Sequence, residues 1–326
     1  MHRLIADPDL HHVRRMGDLR NPKRNRWSNF PVRRRYRPPP VMTAFIAKLK
    51  KPWSIALVAV LMLVSPPGLA SIEAGPGVAD HFFGNAAPIV LNQNLAQKTR
   101  EIDYEEFSVL HSGVSRTPLW SAEHLSALQV EAARVLKRRN AFHADPQLPL
   151  DERAELSDYA RSGYDRGHMA PSGDMPTEVA QQESFSLANM VPQDPRNNQT
   201  LWQAIEEATR AEAEHDGELY VVTGPLFEGQ ALERINGRVL VPTAVFKAIY
   251  NPAIRQGAAY VTPNAPGMEY QTLSIADLEK RSGINLFPAV PRSVKSVKMR
   301  LPPPVARGGR SRHPPIEVET LPRKAR

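Results

Sequence analysis

The 326-residue chain contains no cysteine. Disulfide frameworks and thiolate metal sites are therefore excluded in any compartment, and the fold has to rest on packing alone. Long apolar runs are also scarce. The prominent one is the ten residues from Ile55 to Val64, whereas a helix crossing a bilayer needs about 20. What the chain does have is 41% hydrophobic residues, enough for a core, and 31 prolines, which point to long irregular stretches. Its length permits one large domain or two small ones.

The net charge of +8 conceals an uneven distribution. Residues 71–291 hold 18 basic and 29 acidic side chains, whereas residues 1–41 and 292–326 are each +8. Two basic flanks thus surround an acidic body, either as solvated segments or as contacts for polyanions. Between them, Lys48, Lys50 and Lys51 precede the apolar run, and Gly68-Leu69-Ala70 follows it. This order reads as a secretory signal cleaved near Ala70, with export to the periplasm or medium. Translation then starts at Met42, and residues 1–41 read as an untranslated basic extension; the alternative is an uncleaved membrane anchor.

Residues 71–100 lack periodicity and read as a linker. From 101 to 291 the pattern is globular. "ELYVVTGPLF", "RVLVPTAVFKAIY" and "GAAYVTPN" are strand-like runs bounded by Gly, Pro and Asn. "NQTLWQAIEEATRAEAEHD" reads as a helix, with Asn197 or Asn198 near its cap and Leu201, Ile205 and Ala208 on one face. "SIADLEKRSGI" reads as a last short helix, and residues 121–140 fit either a helix or a strand plus loop. The Pro/Arg-rich residues 292–326 read as a disordered tail. One α+β domain between flanking tails is the economical organisation.

"GYDRGHMAPSGDM", residues 163–175, carries Arg166 and His168 in a stretch with neither helical nor strand periodicity. Arg166 is a permanent cation suited to phosphate oxygens. Gly167 lets the backbone bring both side chains to one site. A neutral imidazole is a suitable general base for water, its reference pKa being near 6.5. In "LANMVPQDPRNNQTLWQAIEE", regular helical spacing brings Asn198 and Glu206 onto one broad face two turns apart. An amide oxygen and a carboxylate suit a hard cation that keeps most of its water. Taken alone, the same pair reads as a helix cap and a solvated acid.

"DRGHMAPSG" followed by "NNQTLWQAIE" resembles the DNA/RNA non-specific endonucleases, metal-dependent nucleases of the ββα-metal (His-Me finger) type. "SRTPLW", "RNAFHADPQLP", "YVVTGPLF", "VLVPTAVFKAIY" and "LEKRSGINLFPAVP" resemble that family's successive segments in order. The resemblance implies an α+β fold with a mainly antiparallel sheet flanked by helices. It implies His168 as general base, Asn198 as the single direct metal ligand and Glu206 as the acid of the cation's hydration shell. Arg166 falls near the scissile phosphate, Asn189 in the active-site neighbourhood, and Arg139 at the position of an arginine that steadies the transition state. Asp165 reads as a structural member of the motif. The implied cofactor is Mg²⁺, with Mn²⁺ as the other candidate. The implied activity is hydrolysis of DNA and RNA to 5′-phosphate products; an inhibitor protein or a homodimer stays open. Two rivals are a phosphodiesterase for small nucleotides and a non-catalytic polyanion-binding protein.

Overall fold

The computed structural model describes residues 78–306 and 314–321, all within the unit Leu69–Arg326. The basic extension 1–41 and the apolar segment 42–70 lie outside the described residues. The strands, in chain order, are β1 (Ile89–Val90), β2 (Thr99–Asp103), β3 (Phe107–Ser112), β4 (Thr117–Ser126), β5 (Asp165–His168), β6 (Met190–Gln193) and β7 (Glu218–Leu226). They continue with β8 (Arg234–Ile235), β9 (Val239–Leu240), β10 (Ala244–Asn251), β11 (Gln256–Pro263), β12 (Glu269–Leu273), β13 (Ile284–Asn285) and β14 (Ile316–Glu317). The helices are α1 (Ala127–Val135), α2 (Leu156–Tyr159), α3 (Glu178–Ser184), α4 (Pro195–Asn197), α5 (Gln203–Asp216), α6 (Ile275–Ser282) and α7 (Arg292–Lys295).

A main sheet runs in the order β14-β12-β11-β10-β7-β4-β3-β2. It is antiparallel apart from the β12–β14 pair, so the α+β, mainly antiparallel architecture holds. The three strand-like runs form β7, β9 with β10, and β11, and "SIADLEKRSGI" forms α6. Residues 121–140 divide at Ser126, where β4 ends. The Ser126 side chain accepts from the Gln129 backbone and the Gln129 side chain accepts from the Ser126 backbone, which opens α1.

The alternation along β10 positions the rest of the molecule. Ala244, Phe246, Ala248 and Tyr250 pack into one core layer, while Val245 and Ile249 pack into another with Trp202 and Ile205. Because side chains alternate across a strand, Lys247 lies on the second face, which α5 covers. Thr223 of β7 pairs with Lys247 in the ladder and Ser121 of β4 pairs with Thr223. These polar side chains, with Glu123, therefore stand beneath the helix.

Two boundary expectations need correction. Residues 78–100 are not a linker: Phe82 meets Trp120 edge-on at 5.9 Å, and β1 pairs with β13. Nor does the domain stop at Pro291. The Lys295 ammonium donates to Glu279 and Asn285, each at 2.8 Å, Met299 and Leu301 are buried, and β14 extends the sheet. Both segments lack long-period hydrophobicity because they dock isolated side chains and backbone edges instead of presenting a face of their own.

Candidate active site

The stretch that lacked periodicity is strand β5, paired with β6 so that Arg166 faces Pro192 and His168 faces Met190. Four residues are too few to show an alternating pattern, yet alternation still operates. It sends Arg166 and His168 to one face and Asp165 and Gly167 to the other. Gly167 is required for close approach, not for turning: a Cβ there would lie 2.0 Å from the Gln193 Oε1. The polypeptide then enters α4 through Asp194, whose carboxylate accepts from the Arg196 and Asn197 amides, with Pro195 in the first turn. Hairpin and helix together form the ββα unit.

On the Arg166 face two phenylalanines make a platform. Phe142 and Phe185 meet edge-to-face at 4.8 Å. The His168 ring packs against them at 5.7 Å and 4.9 Å. The Arg166 guanidinium lies over Phe142 at 4.1 Å, and that of Arg138 over Phe185 at 5.1 Å. Burial, reinforced by repulsion from Arg138 and Arg166, holds the His168 pKa down to about 3. The ring is thus neutral, and its buried Nε2 has no hydrogen-bond partner among the described residues. An unpaired buried ring nitrogen beside two guanidiniums is available to a group from outside the chain.

On the opposite face the Asp165 carboxylate accepts from the Asn198 amide at 2.9 Å and from Gln199 at 2.8 Å. Asn198 is not a helix cap; Asp194 does that work, and the helix begins earlier than its apolar pattern. Asn198 opens a single π-helical turn, Asn198–Trp202, a feature frequent at functional sites. That wider turn also breaks the regular 3.6-residue spacing assumed between Asn198 and Glu206. Thr209 is buried in α5, while Ala208 is only half-buried. Since Asp165 binds the amide nitrogen, Oδ1 is the Asn198 atom left for another partner. Among the described residues no cluster of three or more His, Asp or Glu could hold a metal. An amide oxygen is a donor of the kind that hard cations accept.

Glu206, half-buried on α5, has its pKa raised to about 6 by burial, opposed by Arg210 and Lys247, with Asp174 raising it and Arg138 lowering it. Arg210 is paired with Asp174 at 2.6 Å. Lys247 is fully buried; it donates to Thr223 at 2.8 Å and lies 3.8 Å from Glu123. Burial pushes the Glu123 carboxyl well above the usual range, Asp174 adding to the effect and Lys247 opposing it.

Arg139 is displaced from the expected site, while Asn189 keeps to its neighbourhood in a supporting place. Arg139 turns away: its side chain is 71% exposed and pairs with Glu178 at 3.5 Å, while its backbone amide donates to Gln181. Its neighbour Arg138 is the arginine that reaches both His168 and Glu206. Asn189 is fully buried, and both ends of its amide are occupied. Its oxygen accepts from Ser121 and the Ala170 amide, and its nitrogen donates to the carbonyls of Ala170 and Ser184. Asn189 thus fixes the backbone just after His168, with both ends of its amide taken by the chain. Sequence reasoning missed Arg138, Phe142, Phe185, Asp174, Arg210 and Lys247. Only Arg138 and Phe142, bracketing "RNA", left a local signal.

The sequence model of the DNA/RNA non-specific endonucleases matches residues 85–293. The chain belongs to this family. Among its relatives, the mitochondrial nuclease EXOG of Danio rerio is 35% identical over 209 residues, covering 57% of this chain and 60% of that protein. Nuclease C1 of Cunninghamella echinulata is 32% identical over 206 residues, 57% of this chain and 82% of the relative. The mitochondrial nuclease of Saccharomyces cerevisiae is 32% identical over 218 residues, 59% and 66% of the two chains. The solved structure of an EndoG/EndoGI complex aligns with a TM-score of 0.53 at 24% identity, over 61% of this chain and 91% of that one; this likeness shows the fold. The family match begins at residue 85, in agreement with the packed segment before β2.

The endonuclease relatives overturn the expectation of export. Those from Danio rerio, Saccharomyces cerevisiae, Homo sapiens and Bos taurus are mitochondrial nucleases, and nothing found supports a secretory signal or a secreted or periplasmic location. Leaders for export and for mitochondria are both basic and poor in acids, so the charge pattern did not separate them.

Proposed function

We propose that this chain is a metal-dependent, sugar-non-specific endonuclease that hydrolyses DNA and RNA to 5′-phosphate products. The observation that carries the reading is the unpaired, neutral Nε2 of His168 between Arg138 and Arg166 on the phenylalanine platform. His168 takes a proton from water as that water attacks phosphorus. The P–O3′ bond breaks, and the departing O3′ takes a proton from solvent water, leaving a 3′-hydroxyl and a 5′-phosphate. Arg138 and Arg166 hold the non-bridging oxygens, most strongly as negative charge develops there. Asn198 would hold Mg²⁺, a use supported by its orientation on Asp165. That cation, when bound, supplies Lewis-acid stabilisation of the charge accumulating on phosphate and leaving oxygen. Glu206 supplies a carboxylate to the cation's hydration shell. These groups address a phosphodiester and an attacking water, chemistry that DNA and RNA share.

The test is digestion of covalently closed circular DNA and of a circular RNA, with Mg²⁺, with Mn²⁺ and with EDTA. Linear products carrying 5′-phosphates, abolished by EDTA, are expected. Intact circles alongside turnover of small nucleotide diesters would instead establish a small-molecule phosphodiesterase, and binding without any turnover would establish a polyanion-binding protein.

A further inference from the structure

The acidic body poses a problem for a nuclease: residues 71–291 carry 29 acids against 18 basic side chains. In the described part of the C-terminal segment Lys295 is bound to Glu279 and Lys298 donates to Thr272, which leaves the exposed Arg292 and Arg300. Arginines with no close ion pair of their own occur elsewhere, around a cavity of about 260 Å³ lined in part by Asp158, Arg161, Ser162, Glu233, Arg234 and Asn236. We propose that this cavity receives a backbone phosphate of the bound nucleic-acid strand, next to the one being cleaved or a few nucleotides away.

Three observations support the assignment, which rests on the nuclease reading. The cavity adjoins the catalytic hairpin. Ser162 on its wall lies three residues before Asp165, and the Tyr164 hydroxyl donates to Glu233 at 2.9 Å. The guanidiniums there meet neutral partners. Arg234 donates to the carbonyls of Val114 and Arg238 at 3.3 Å and 2.7 Å, and neighbouring Arg116 donates twice to the Asp151 carbonyl, at 3.2 Å and 2.8 Å. Arg161 is exposed and makes no ion pair among the described residues. Of the two acids in the lining, Asp158 has a guanidinium partner and Glu233 a neutral hydroxyl. Buried Asp158 accepts from Asn236 at 2.9 Å and from the Glu155 amide at 2.8 Å and pairs with Arg238 at 3.4 Å, while Glu233 holds Tyr164. Arg161 and Asn236 are also held at φ 58° and 49°, a backbone region that residues other than glycine seldom occupy.

Equilibrium binding of a duplex in EDTA, followed by fluorescence anisotropy from about 50 to 200 mM salt, tests this. Loss of one phosphate contact makes the log–log salt slope shallower by about 0.9, so the advantage of wild type shrinks roughly 3.5-fold across that range. Arg161→Gln is expected to show this change and Arg161→Lys to keep the wild-type slope. Arg255→Gln, which removes an equally exposed arginine from the β10–β11 turn, is also expected to keep it. An unchanged slope in Arg161→Gln, or an equal change in Arg255→Gln, overturns the proposal. Cleavage is measured separately on the wild type: duplex binding without cutting defeats the nuclease reading, while the slopes still judge the cavity.

Discussion

His168 and Glu206 are both withdrawn from water, and burial moves their proton affinities in opposite directions. On the phenylalanine platform every charged neighbour of His168 is a guanidinium, so repulsion adds to desolvation and the ring stays neutral down to about pH 3. On and beneath α5 the acids Glu123, Asp174 and Glu206 stand with Lys247 and Arg210, and desolvation outweighs attraction, leaving Glu206 near 6. Desolvation favours the uncharged form in each case. For His168 this keeps the proton-accepting form populated while weakening it as a base, since basicity falls with pKa, whereas for a carboxylate it makes the charged form conditional on pH. Arg138 stands within electrostatic reach of both groups and opposes the desolvation of Glu206 while reinforcing that of His168.

The largest effect expected from breaking this contrast is at His168. His168→Ala should lower cleavage by about 10²–10⁴-fold, the usual contribution of a general base. The measurement is turnover on circular DNA alongside circular dichroism, and wild-type-like turnover by folded protein would remove His168 from the chemistry. The arginines sharpen the same side. Arg138→Ala should cost about 10²–10³-fold in kcat, as loss of one donor to a developing anion does. Arg139→Ala, paired outward with Glu178, should stay within about twofold, on the scale of an exposed ion pair. The reverse ranking would restore the arginine expected from the sequence.

Next comes the support of the cation. Asp165→Ala frees the Asn198 amide, and losing such a partner behind a ligand typically weakens metal affinity by about 10–100-fold. A Mg²⁺ titration of cleavage should move to higher concentration by that factor, and an unmoved curve would leave Asp165 with no role in orienting Asn198. Asn189→Ala tests a purely structural assignment. It strips partners from Ser121, Ala170 and Ser184, at roughly 1–3 kcal/mol for each buried group left unpaired. A thermal melt should show the loss, and unchanged stability with lost turnover would return Asn189 to the reacting atoms.

The smallest effect concerns pH. His168 is depressed from 6.5 to about 3, so its contribution to stability is present above 6.5 and lost as pH falls toward 3. Glu206 is raised from 4.5 to about 6, so its contribution is present below 4.5 and lost as pH rises through 6. The two slopes oppose each other between 4.5 and 6. Glu206→Gln should therefore make stability climb more steeply with pH in that interval, as denaturant midpoints would report. Activity of the wild type should likewise fall below about pH 6 through Glu206 while the His168 ring resonances remain unshifted.

The sequence by itself determined the family, three of the eight strands of the central sheet and the helix that carries Glu206, and it marked His168, Arg166 and Asn198 as candidates. Those features are local: they follow from residue type, short spacing and a strong alternation of apolar side chains. It misjudged β5 because four residues are too short for a period to emerge, and it misjudged both ends of the domain because isolated contacts leave no pattern. Which of two adjacent arginines faces the site was decided by Phe185 and Glu178, which lie some forty residues beyond them in the sequence. Whether Asn189 meets substrate or backbone was decided by Ser121 and Ala170. The proton affinities of His168 and Glu206 came from burial and from charges on separate elements. Only the tertiary structure could set these, because electrostatic and desolvation energies depend on distance in space and not on separation along the chain.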